Sequence, residues 1–169
     1  MRVIFAGGGT AGHVEPALAV ARLWREKHPE DLIEFIGTAK GLENQLVPAA
    51  RFELLHIPKV ILPRKISLAL FIAPFTLFKS FASARQIMKG ADLLIGFGGY
   101  VSAPAYLAAK SLRIPFVVHE ANAKAGFANR LGARLTDYVA AAQATQNRSM
   151  ANALITGIPL RPDVAIAFN

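Results

Sequence analysis

The sequence predicts an α/β fold, a parallel sheet with helices on both faces, and three observations predict it. Short, continuously apolar runs alternate with longer segments of helical periodicity along the whole chain. The first run opens directly into a glycine-rich turn, Gly7-Gly8-Gly9-Thr10-Ala11-Gly12, with a helical pattern after it. Both glycine clusters fall at the ends of apolar runs, where open parallel sheets bind ligands.

Residues 3–6 are apolar throughout, as expected of a strand covered on both faces. Residues 14–26 repeat apolar side chains at helical spacing, with Pro16 in the first turn, where a missing N–H costs little. Strands follow at 32–36 and, more weakly, at 52–57. A long amphipathic helix over 68–88 closes near Gly90. A fourth strand at 92–95 runs into Gly96-Phe97-Gly98-Gly99-Tyr100, and a helix at 102–111 precedes a strand at 115–118. A helix at 126–133, a strand at 138–142 and a short strand at 153–156 complete the pattern. Right-handed crossovers join such elements into a single Rossmann-like parallel sheet. Residues 1–160 form one domain, and Gly157-Ile158-Pro159-Leu160-Arg161-Pro162 leads into a linker over 161–169.

With 53% hydrophobic residues in 169, the chain supplies one well-buried core and is too short for two α/β domains. The absence of cysteine excludes disulfides and thiolate chemistry. No signal-peptide pattern begins at Met1. The net charge of +8 points to an anionic partner. Nucleic acid is disfavoured, because aromatic residues are not interleaved with the basic ones as base stacking requires. The longest apolar run, 66–78, falls short of the roughly 20 residues that cross a bilayer, though it is long enough to lie on one.

Four constellations carry chemistry. In the first turn, glycines let the backbone approach an anion, and free N–H groups at the helix start face it. A dinucleotide site also wants a carboxylate at the tip of the second strand. That strand ends Phe35-Ile36-Gly37-Thr38 instead, with Glu34 inside it, so a nucleotide-dependent oxidoreductase is disfavoured. His13 follows the last glycine, where an imidazole can donate to phosphate or act as a general base. Gly98-Gly99-Tyr100 repeats the arrangement after the fourth strand, and two such loops suit a diphosphate. His119-Glu120-Ala121-Asn122 places three polar side chains at the end of the fifth strand, where they are expected to face the cleft. Finally, Phe71, Phe75, Phe78 and Phe81 share one helical face, with Lys79 and Arg85 among the cations around them. Such a stripe suits either the core or an anionic lipid surface.

Together, Gly8-Gly9-Thr10-Ala11-Gly12-His13-Val14-Glu15-Pro16, Gly98-Gly99-Tyr100-Val101-Ser102 and His119-Glu120-Ala121-Asn122 closely resemble the N-terminal domain of the MurG family of peptidoglycan N-acetylglucosaminyltransferases. The resemblance covers essentially the whole chain, and Ala11, where many members carry glycine, is similar to the actinobacterial branch. It implies one half of a two-domain GT-B fold: an acceptor-binding domain over 1–160, with the donor-binding domain absent from this chain. The reaction implied transfers GlcNAc from UDP-GlcNAc to the MurNAc 4-hydroxyl of undecaprenyl-diphospho-MurNAc-pentapeptide, with inversion, at the cytoplasmic face of the bacterial plasma membrane.

By the same resemblance, Thr10, Ala11, Gly12, Asn122 and Arg161 contact the donor, and Gly8, Gly9, Gly98, Gly99 and Tyr100 cradle the acceptor diphosphate. His13 is the implied base, with Glu120 and His119 as alternatives or orienting groups. The helix bearing Phe71, Phe75, Phe78, Phe81, Lys79 and Arg85 occupies the place of the family's membrane patch. Lys110 stands where some relatives are apolar, which makes the patch here more electrostatic. No Asp-x-Asp occurs, in agreement with a site needing no metal or other cofactor. The isolated chain is expected to lack transferase activity. The alternative is a non-catalytic, membrane-anchoring subunit that binds the acceptor and recruits a separate donor-binding chain.

Overall fold

The computed structural model describes residues 1–60, 69–144 and 147–160, without the side chains of 69–73. Its strands are β1 (Arg2–Gly7), β2 (Leu32–Gly37), β3 (Glu53–His56), β4 (Leu93–Gly98), β5 (Phe116–Glu120), β6 (Val139–Ala141) and β7 (Leu154–Ile155). The helices are α1 (Ala11–Lys27), α2 (Glu43–Ala49), α3 (Ala69–Ile87), α4 (Ser102–Leu112) and α5 (Phe127–Gly132). The strands form one sheet in the order β3-β2-β1-β4-β5-β6-β7, with every neighbouring pair parallel. The order reverses between β1 and β4, and both glycine loops leave the sheet there.

Alternation along β1 divides the core in two. Val3 and Phe5 face α1 and α2 and pack with Val14, Leu18, Phe35 and Phe97. Ile4 and Ala6 face α3 and α4 and pack with Leu94, Met88, Tyr106 and Val118. Phe5 lies 5.2 Å from Phe35 and 6.4 Å from Phe97, ring centre to ring centre, so the middle of the first layer is an aromatic stack.

Two boundaries and one helix bear on the site and depart from the sequence pattern. Helix α1 begins at Ala11, so Ala11 and Gly12 belong to its first turn. Strand β4 continues through Gly96, Phe97 and Gly98, because β1 and β5 pair with it on either side. Helix α2 went unrecognised: it has seven residues, includes Pro48, and is too short to show a period.

Candidate functional site

The two glycine loops press against each other at the carboxyl ends of β1 and β4. Gly99 has φ +83°, and a Cβ there would stand 2.2 Å from the Gly8 carbonyl oxygen. Gly9 has φ +91°, and a Cβ there would stand 2.6 Å from Cε1 of Tyr100. Only glycine satisfies both the left-handed backbone and the contact.

Each loop is tied down by a side chain. The Gly9 N–H donates to Oε2 of Glu43 at 3.0 Å. The other oxygen, Oε1, accepts from the Thr38 N–H at 3.1 Å and from the Thr38 hydroxyl at 3.2 Å. Glu43 is wholly buried. Burial pushes its carboxyl up, but the N–H groups of Gly9, Glu43 itself and Thr38, with the Thr38 hydroxyl, hold it below the usual carboxylate range. In the second loop, the Gly98 N–H donates to Oγ of Ser102 at 3.1 Å. Neither N–H is left for a ligand in this arrangement.

His13 closes the first turn of α1, half-buried. Its Nδ1 lies 3.0 Å from Oγ1 of Thr10, and its Nε2 edge faces Gly98, where a Cβ would come within 3.1 Å of that nitrogen. The Thr10 hydroxyl can accept from or donate to Nδ1. When Nδ1–H donates to it, Nε2 carries the lone pair that proton abstraction requires. No side chain caps α1; the His13 N–H bonds back to the Thr10 carbonyl at 3.1 Å, which leaves the Ala11 and Gly12 N–H groups of the first turn to meet an anion.

Residues 11–13 face two depressions. His13, with Gly98, Gly99 and Tyr100, lines a largely apolar cavity of about 360 Å³ whose farther wall includes Leu107 and Leu131. Ala11 and Gly12 line an open groove of about 530 Å³ with Asn122 and Leu160. Tyr100 is held from behind: its ring takes the Lys59 ammonium at 4.7 Å, and its hydroxyl lies 3.5 Å from Oγ1 of Thr38.

The polar cluster after β5 is less open than expected. Glu120 is 1% exposed. Its Oε1 accepts from the backbone and side-chain nitrogens of Asn122, both at 2.8 Å; its Oε2 accepts from the Gly126 N–H at 2.9 Å and Nδ2 of Asn129 at 3.0 Å. Four donors saturate the carboxylate, so it shapes the loop over 120–126 and has no free lone pair for a proton. His119 is also buried, with Nε2 3.1 Å from the Gly157 carbonyl and its ring 5.3 Å from that of Phe97. Burial lowers its pKa, outweighing the Gly157 carbonyl and the Glu120 charge, which raise it.

Sequence reasoning missed Glu43, Asn129 and Tyr106. The wholly buried Tyr106 hydroxyl donates to Oδ1 of Asn129 at 2.9 Å, and Asn129 passes the bond on to Glu120 and to the His119 carbonyl. The signal available for Tyr106 was Gly96 and Gly132, where a Cβ would stand 2.2 Å and 2.7 Å from its ring. The phenylalanine stripe splits. Phe75 and Phe78 are exposed, at 61% and 65%, with the Lys79 ammonium 4.7 Å from the Phe75 ring. Phe81 is half-buried against the core, and Arg85 is exposed. The Phe71 side chain and Arg161 lie outside the described residues. Among the described residues, no helix is long and apolar enough to cross a membrane.

Residues 3–141 match the glycosyltransferase family 28 N-terminal domain. The chain belongs to that family. A family 28 relative from Corynebacterium jeikeium, named UDP-N-acetylglucosamine--N-acetylmuramyl-(pentapeptide) pyrophosphoryl-undecaprenol N-acetylglucosamine transferase, is 51% identical over 166 residues, 97% of this chain and 44% of the relative. A protein of the same name from Thermobifida fusca is 49% identical over 167 residues, 98% of this chain and 44% of that one. The crystal structure of MurG from Acinetobacter baumannii superimposes with a TM-score of 0.72 at 36% identity, over 85% of this chain and 41% of that one. A UDP-GlcNAc 2-epimerase from Neisseria meningitidis shares the fold at 17% identity, with a TM-score of 0.69 over 99% of this chain and 50% of that one. The chain therefore spans less than half the length of the curated family 28 relatives it matches.

Proposed function

We propose that these residues are the acceptor half of an inverting GT-B glycosyltransferase that moves GlcNAc from UDP-GlcNAc to the MurNAc 4-hydroxyl of undecaprenyl-diphospho-MurNAc-pentapeptide. The names of the relatives support the substrates. The observation that carries the reading is that one helical turn serves two sites, with His13 on the cavity side and Ala11 and Gly12 on the groove side.

In this reading the acceptor sugar enters from the cavity, past Gly99 and Tyr100. The donor approaches over the groove, where the open first turn of α1 and Asn122 meet its diphosphate. Nε2 of His13 takes the proton of the 4-hydroxyl as that oxygen bonds to C1 of GlcNAc. The bond from C1 to the diphosphate oxygen breaks, and UDP leaves with the electron pair. Thr10 orients His13, and Glu120, through Asn129 and the Gly126 N–H, holds the wall of the cavity. No metal or cofactor is assigned a step. A second domain, outside these residues, grips most of the donor, and by the family resemblance Arg161 adds a further donor contact. Exposed Phe75 and Phe78, with Lys79 and Arg85, seat the domain on the anionic cytoplasmic face of the membrane.

The test is His13→Ala in a two-domain protein carrying this domain. Turnover should fall about a hundred- to ten-thousand-fold, the usual contribution of a general base, with little change in the KM for UDP-GlcNAc. Unchanged turnover would remove His13 from the mechanism.

A further inference from the structure

The cavity beside His13 does not end behind the glycine loops. Leu77 of α3 and Leu107 of α4 line it, and both also line a second depression of about 550 Å³ between these helices, with Pro74, Phe78, Phe81 and Lys110. The two depressions thus adjoin at Leu77 and Leu107, and together they form an apolar trough reaching from His13, Gly98 and Gly99 to the exposed ring of Phe78. Along α4 it extends from Ala103 to Ser111, about 12 Å of helix at 1.5 Å per residue. Among the described residues its walls are apolar almost throughout. Lys110, the cation that lines it among the described residues, donates its ammonium to the Leu135 carbonyl at 2.9 Å, which leaves its methylene stem for the trough.

His13, Glu120 and Asn129 line the inner end, while at the outer end Lys110 and Ser111 turn their polar atoms to the Leu135 and Ala108 carbonyls; such a trough matches an amphiphile whose head is polar and whose tail is hydrocarbon. A peptide would need backbone partners along the walls, and the trough offers few. A bilayer acyl chain would explain the end near Phe78 but not the continuation to His13. We propose that the trough between α3 and α4 binds the first isoprene units of the acceptor's polyprenyl chain, next to the diphosphate. This rests on the acceptor reading above. It means that the domain draws the head of the chain out of the bilayer, with Phe75 and Phe78 at the exit.

The test compares binding of inorganic diphosphate, geranyl diphosphate and geranylgeranyl diphosphate to this chain, with anionic vesicle binding measured in parallel. Affinity should rise at least tenfold from diphosphate to geranylgeranyl diphosphate. Leu107→Trp, which fills the middle of the trough, should collapse that ratio while vesicle binding persists. Ser111→Trp, at the exposed far end, should spare the geranyl ratio and reduce the geranylgeranyl one, which keeps the test available if Leu107→Trp does not fold. Equal affinities for all three ligands would overturn the trough and leave the acceptor reading standing. Failure to bind any diphosphate would overturn both. Loss of vesicle binding in step with the prenyl ratio would assign the trough to bilayer lipid and overturn the proposal.

Discussion

The two glycine loops look alike in sequence and are built differently. The first is held from outside: Glu43, 34 residues farther along the chain, accepts the Gly9 N–H, and the loop then feeds the uncapped start of α1. The second is held from within, by Ser102 four residues after Gly98. The first can therefore present helix N–H groups to an anion, while the second mainly brings backbone close to His13 and to Gly8. A run of glycines reports close approach. Whether a ligand or another segment of chain does the approaching depends on where the N–H groups go.

The contact between the loops is broken most severely by Gly99→Ala. The added methyl meets the Gly8 carbonyl oxygen at 2.2 Å on a backbone with φ +83°, so one loop must move. The expected cost is about 3 kcal/mol or more, read from urea unfolding. A loss below about 1 kcal/mol would mean that the loops are not in register as described.

Glu43→Gln sharpens the difference between the tethers. An amide can accept from only one side, so either Gly9 or Thr38 loses its partner inside the protein. We expect a loss of about 2 kcal/mol in unfolding free energy. Amide exchange should quicken at Gly9 and remain slow at Gly98. Equal quickening at both would show that the loops share one tether.

The smallest effect is in pH dependence. His119 is held neutral by burial, so its depressed folded pKa favours the unfolded state as pH falls below the unfolded value of about 6.5. Glu43, also depressed, contributes stability that is full above the unfolded carboxylate value, about 4.3, and is lost as pH falls through its folded pKa. Stability should decline in two stages on the acid side, each with a slope of at most about 1.4 kcal/mol per pH unit per proton. His119→Gln should remove the upper stage and leave the lower one. A midpoint unchanged between pH 7 and pH 5 in the unaltered chain would contradict this.

The sheet was legible because its central strands β1, β2, β4 and β5 are largely buried apolar runs bounded by glycine or a helical period, and that signal is local. The place of His13 beside the first glycine loop was legible for the same reason, since the two adjoin in sequence. The groups that hold the site were not. Glu43 lies in a helix too short to show a period, and its role depends on β2 lying next to β1. Glu120 reads as an exposed acid and is saturated only because the chain turns back to supply the Gly126 N–H and Asn129. The apolar continuation of the cavity joins α3 to α4, helices separated in the chain by a whole strand. In each case the missing information was a long-range contact.

The central claim is that one helical turn separates an acceptor site from a donor site. The most direct measurement is amide chemical-shift mapping of this chain with each ligand in turn: UDP-GlcNAc, and a short-chain prenyl-diphospho-MurNAc analogue. The acceptor analogue should shift His13, Gly99, Tyr100 and Leu107, while UDP-GlcNAc should shift Ala11, Gly12 and Asn122. Overlapping patterns, or an acceptor that perturbs only the Asn122 side, would contradict it.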